Sequence, residues 1–109
     1  MIIAIDFDGT LVEHDYPKIG ALKPGAKQAL EAFRKHGHKI AIWTCRSGEE
    51  ERAVRLFLKE HDIPFDSVNS PVPGTDLSTR KIYADVYIDD KGIRFEDNWD
   101  ELRRFLIGK

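Results

Sequence analysis

Three short runs of the chain are dominated by apolar residues without alternation: Met1 to Ile5, Lys39 to Trp43 and Asp85 to Ile88. Each is too short for a helix and rich in β-favouring residues, the signature of strands buried on both faces of a parallel sheet. A weaker fourth candidate is Pro64 to Val68. Between these runs the pattern changes to helical spacing. Pro24 marks a helix start, Ala26, Ala29, Leu30 and Phe33 follow the helical period, and Gly37 ends it. Ser47 and Glu50 form a capping-box pattern ahead of Ala53, Val54, Phe57 and Leu58. Trp99, Leu102 and Leu106 predict a last helix closing before Gly108. The segment Asn69 to Thr79 reads as a loop. Strands alternating with helices predict an α/β domain, a Rossmann-like three-layer fold with a central, mainly parallel sheet flanked by helices.

Composition narrows the class. With 109 residues, the chain is expected to form one domain spanning residues 1–109. A formal charge of −2 supplies no footprint for a nucleic-acid backbone or an anionic membrane. The single cysteine, Cys45, cannot form an internal disulfide, which fits a reducing, cytoplasmic setting. No apolar run approaches the roughly 20 residues of a membrane span. Trp43, Trp99 and the phenylalanines are expected in the core, Cys45 as a small buried residue, and Lys91 and Arg94 as surface charges. His36, His38 and His61 fall near helix ends or turns, where a helix-end interaction is expected rather than metal binding.

The chemistry lies at the end of each apolar run. Ile5 is followed by Asp6-Phe7-Asp8-Gly9-Thr10, Trp43 by Thr44, and Ile88 by Asp89-Asp90. In an open parallel sheet the carboxyl ends of the strands line one edge, and ligands bind there. Four carboxylates brought to one rim repel one another unless a cation lies between them. Mg²⁺ suits such an oxygen set together with a substrate phosphate. Calcium fits less well without an EF-hand spacing, and zinc without a His/Cys ligand spacing. A Mg²⁺ ion beside an unligated carboxylate suits phosphoryl transfer.

Asp6-Phe7-Asp8-Gly9-Thr10-Leu11 resembles the first motif of the haloacid dehalogenase superfamily, in its phosphatase and phosphotransferase branch. Thr44, Lys81 and Asp89-Asp90 follow in the order of the remaining motifs. The resemblance implies that Asp6 is the nucleophile forming an aspartyl-phosphate and Asp8 the general acid and base. It implies that Thr44 hydrogen-bonds a phosphoryl oxygen and Lys81 neutralises charge on nucleophile and phosphate. Mg²⁺ would be held by Asp6, Asp89 and the backbone carbonyl of Asp8, with Asp90 in or next to the metal shell. Arg46 is a candidate for substrate binding beside Thr44 and Lys81, or else forms a surface salt bridge.

Members of that superfamily usually insert a cap after the first or second motif. Neither the interval from Asp8 to Thr44 nor that from Thr44 to Lys81 has room for one. The site is therefore expected to be open, bordered by a flap-like stretch from Val12 to Leu22 whose Glu13, His14, Asp15 and Tyr16 either form a solvated hairpin or loop or recognise the leaving group. Capless relatives act on large substrates or close the site with a neighbouring subunit, so a homo-oligomer is one expectation. The expected partner is a phosphorylated substrate such as a sugar phosphate or nucleotide. Tyr83 to Lys91 is also similar to small phosphatase-like proteins of sugar-phosphate and capsule metabolism. A phosphotransferase, a nucleotidase and a catalytically idle binding module of the same fold are alternatives. A receiver domain would place its acidic pair after the first strand, and here the adjacent pair comes late.

Overall fold

A computed structural model of the chain describes residues 1–75 and 82–108. The elements run β1 (Ile2–Asp6), β2 (Val12–Asp15), β3 (Lys18–Leu22), α1 (Ala26–Lys35), β4 (Lys39–Trp43), α2 (Glu49–Glu60), β5 (Ser67–Val68), β6 (Val86–Ile88) and α3 (Trp99–Ile107). Four strands form one parallel sheet in the order β5-β4-β1-β6. The hairpin β2–β3 is antiparallel and separate, so the flap-like stretch is a hairpin. No cap domain interrupts this α/β arrangement among the described residues, and among them no helix is long and apolar enough to cross a membrane.

Alternation along the two central strands divides the core. Ile3 and Ile5 of β1 share a face with Ile40 and Ile42 of β4 and meet Leu30 of α1 and Val54 and Leu58 of α2. On the other face Ala4 and Ala41 lie against Val72 and Ile82. Two aspartates fasten strand entries. Asp85 accepts a hydrogen bond from the Ile2 amide and Asp66 one from the Ile40 amide, both at 2.7 Å.

The helix starts differ from the sequence expectation in an instructive way. Pro24 stands outside α1, in a turn closed by a hydrogen bond from the Ala26 amide to the Lys23 carbonyl. Gly25, at φ 83°, supplies the left-handed second corner that makes this a type II turn. At α2 the capping box does not form. Gly48 is the N-cap at φ 57° with no side-chain cap, and Ser47 serves through its carbonyl, which accepts from the Glu50 amide at 3.1 Å. At the other helix ends, His36 and His61 donate from Nδ1 to the carbonyls of Ala32 and Phe57, both at 2.9 Å.

The C-terminal third departs furthest from expectation. All three residues of β6 are exposed and none joins either core cluster, whereas both residues of β5, at the opposite edge, are buried. Among the aromatic residues expected inside, Phe7 is buried and Phe33, Phe57 and Phe65 are partly so. Trp43, Phe95, Trp99 and Phe105 are exposed instead, and α3 buries none of its residues. The radius of gyration, 15.3 Å, exceeds the roughly 13 Å of a compact chain this long.

Candidate active site

Parallel register brings the functional residues to one edge. Asp6 pairs with Trp43 at the ends of β1 and β4, and β6, ending at Ile88, lies on the other side of β1. The residues just beyond these strands meet above the sheet. Oxygens of Asp6, Asp89 and Asp90 come within 4.8 Å of one another. Thr10 donates its hydroxyl to Oδ2 of Asp6 at 3.0 Å and so orients that carboxylate. The Lys91 amide donates to Oδ1 of Asp89 at 2.8 Å.

Electrostatics at the triad carry the mark of crowded negative charge. Burial pushes the Asp6 carboxyl up, the Thr10 hydrogen bond opposes this, and Asp89 and Asp90 push it further, to about 6. Asp90 moves the other way. Burial raises it, but its hydrogen bond with Asp6 and the nearby Lys91 charge bring it below its usual value. Three carboxylates and no sulfur or imidazole make a donor set for a hard, oxygen-seeking cation. The triad is thus consistent with a metal site.

Gly9 sets the approach of Asp90. A methyl group at this position would lie 2.5 Å from Asp90 Oδ2, and the backbone has φ +89°. Glycine therefore answers two demands at once, a left-handed turn and a close carboxylate.

Asp8 stands apart from the triad, its carboxylate held by Arg46. Nε and Nη2 of Arg46 each donate to a different oxygen of Asp8 at 2.8 Å. The same guanidinium donates to the carbonyl of Pro17 at 2.9 Å and to that of Lys18 at 2.8 Å. Only 3% of Arg46 is exposed. The expectation of a surface salt bridge for Arg46 is corrected, because the pair with Asp8 is buried; Arg46 lines the same cavity, with four of its donors turned to Asp8 and the hairpin. The Asp8 hydrogen bonds hold its guanidinium above its ordinary pKa despite burial.

The remaining sequence candidates divide clearly. Thr44 lines the same cavity as Asp6 and Asp8, and its hydroxyl accepts from the Arg46 amide at 3.1 Å. Lys81 lies outside the described residues. Cys45 is exposed and lines the cavity rather than filling the core, and Lys91 also lines it. Sequence reasoning assigns no role to Asn69, which sits at φ 53°. Its Oδ1 accepts from the Thr44 amide at 2.8 Å and its Nδ2 donates to the Arg46 carbonyl at 3.2 Å, bracing the turn after β4. Tyr16, a flap residue that the sequence offers for leaving-group recognition, has its ring centroid 4.9 Å from the Arg46 guanidinium carbon. No local sequence signal marks Asn69, because it acts through partners distant in the chain.

Residues 3–92 match the family model of haloacid dehalogenase-like hydrolases. The chain belongs to that family. It is also similar to a solved structure, the conserved protein coded by a locus of Bacteroides thetaiotaomicron, with 32% sequence identity and a TM-score of 0.79. That likeness covers 97% of this chain and 88% of the other. No curated protein matches the chain.

Proposed function

We propose that the protein is a Mg²⁺-dependent phosphohydrolase acting on phosphate monoesters, with Asp6 as nucleophile and Asp8 as general acid and base. The observation that carries this reading is the meeting of Asp6, Asp89 and Asp90 at the carboxyl edge, in one cavity with Asp8 and Thr44. Family membership supports the hydrolytic class.

Asp6 attacks phosphorus through a carboxylate oxygen. An O–P bond forms on Asp6 as the ester P–O bond breaks, and the leaving oxygen keeps the electron pair and takes a proton from Asp8. Water then attacks phosphorus, gives a proton to Asp8 and releases Asp6 and inorganic phosphate. Thr10 holds the Asp6 carboxylate in orientation through both steps. Arg46 aims the Asp8 carboxylate, meeting each oxygen once and leaving each a second lone pair at which the proton can be held. Thr44 would contact a phosphoryl oxygen, and Lys81 is assigned its charge-neutralising role by resemblance alone. Asp6, Asp89 and the Asp8 backbone carbonyl would hold Mg²⁺, with Asp90 beside them. When bound, the cation screens the incoming phosphate and aligns it with Asp6.

The test is phosphate release from a panel of phosphate monoesters with Mg²⁺, with EDTA, and with Asp6→Asn. Release abolished by both EDTA and the substitution is expected. Turnover that survives Asp6→Asn would rule out the aspartyl-phosphate, and turnover that survives EDTA would remove the metal assignment.

A further inference from the structure

The cavity above the sheet edge has a volume of about 590 Å³, within the range of roughly 300–1,000 Å³ that suits small molecules. The carboxylates and Thr44 account for its phosphate end. The side chains left over are His14, Tyr16, Trp43, Cys45, Lys91 and Arg46, the last engaged with Asp8 and the hairpin.

Two of these are aromatic, and both are braced from behind. Trp43 is the register partner of Asp6, so its side chain stands beside Asp6 on the same face of the sheet. Its ring meets that of Tyr87 edge-on, with centroids 6.4 Å apart at 62°, and Tyr87 in turn donates its hydroxyl to the Ile82 carbonyl. Tyr16, at the hairpin tip, rests against the immobilised Arg46 guanidinium. The Glu50 carboxylate, hydrogen-bonded to the Tyr16 hydroxyl, pushes that phenol above its ordinary value. Yet Trp43 remains 37% and Tyr16 54% exposed. Rings of this kind normally bury about 150–250 Å² each. A braced ring left bare beside a nucleophile is a surface prepared for a ligand.

We propose that the leaving alcohol carries an aromatic ring that rests against Trp43 and Tyr16, so that the substrates are ring-bearing phosphate monoesters. This rests on the phosphohydrolase reading above. The shared chemistry is a planar ring at the leaving end, and nucleoside and aryl phosphates are its two sources.

The experiment compares adenosine 5′-monophosphate and phenyl phosphate with glycerol 3-phosphate and a hexose 6-phosphate in the Mg²⁺-loaded enzyme. A second arm reads fluorescence quenching by adenosine 5′-monophosphate in a Trp99→Phe background, where Trp43 is the reporting indole. A ring stacked on an aromatic side chain contributes a kcat/KM advantage of about tenfold, and Trp43→Leu or Tyr16→Leu is expected to collapse that ratio. Saturable quenching is expected as well. Which ring-bearing substrate leads distinguishes a nucleoside from an aryl source. Equal turnover of ring-bearing and ring-free esters, or a ratio unchanged in both variants, overturns the ring proposal while leaving the phosphohydrolase reading intact. If nothing is turned over, the phosphohydrolase reading fails, and the quenching decides the ring site: saturation sustains it and no quenching overturns it.

Discussion

Replacing Arg46 by methionine keeps much of the side-chain volume but removes a guanidinium that is 3% exposed and donates to both oxygens of Asp8 and to two hairpin carbonyls. Breaking a buried ion pair by deleting one partner costs about 3–5 kcal/mol, because the remaining charge is left uncompensated. The Asp8 side chain is 17% exposed, so water recovers part of that loss and the lower end of the range applies. A loss of about 3 kcal/mol corresponds to a fall in Tm of roughly 12–20 °C for a domain of this size. Thermal and urea unfolding of Arg46→Met, Asp8→Asn and the double variant provide the check. The double variant should be less destabilised than the sum of the two single changes, because the pair is lost only once. Arg46→Lys should fall between, since an ammonium cannot reproduce the two-pronged contact. A fall in Tm below about 3 °C for Arg46→Met, or strict additivity of the two changes, would refute the reasoning.

Gly9→Ala would place a methyl group 2.5 Å from Asp90 Oδ2 at φ +89°. The expected results are a loss of about 1–2 kcal/mol from backbone strain and Mg²⁺ binding weakened about tenfold or more, read by unfolding and by calorimetric titration. Unaltered Mg²⁺ affinity would show that Asp90 is not needed where it stands. Asp6, raised to about 6 from 3.8, makes the metal-free protein pH-sensitive. Between those values the folded state keeps a proton that the unfolded chain has lost, so this group's contribution to stability falls as pH rises from about 4 to 6 and is flat above. Asp90, being lowered, contributes stability above its usual value that is lost as pH falls below it, outside that window. Urea unfolding with EDTA across pH 4–7 should show the decline in wild type and not in Asp6→Asn. The same slope in both would place its origin elsewhere.

The central strands and the acidic edge are legible in the sequence because both arise from local order. An unbroken apolar run such as Ile2 to Ile5 has no solvent face to offer, so β1 is central, and the residues just past a parallel strand arrive at the carboxyl edge with their neighbours. The expected burial of Val86 to Ile88 fails, since an apolar run shows that a strand can be covered and not that a helix lies over it. Trp99 and Phe105 teach the same lesson for a helix: period reveals which residues share a side, not what packs there. The capping-box pattern at Ser47 and Glu50 yields to Gly48, whose positive φ turns the chain before a side chain can cap it. Arg46 and Asp8 are far apart in sequence, and only the hairpin folding back between them makes one the anchor of the other.

A C-terminal helix without a buried residue has a thermodynamic consequence. A nine-residue helix is shorter than the roughly 12–15 residues at which isolated helices begin to hold in water, and α3 draws no support from a buried side chain. Its amides should exchange with solvent through local fraying, while those of β1 and β4 wait for global unfolding. The chain then behaves as two cooperative units of unequal protection, and every proposed catalytic residue among those described belongs to the slower one.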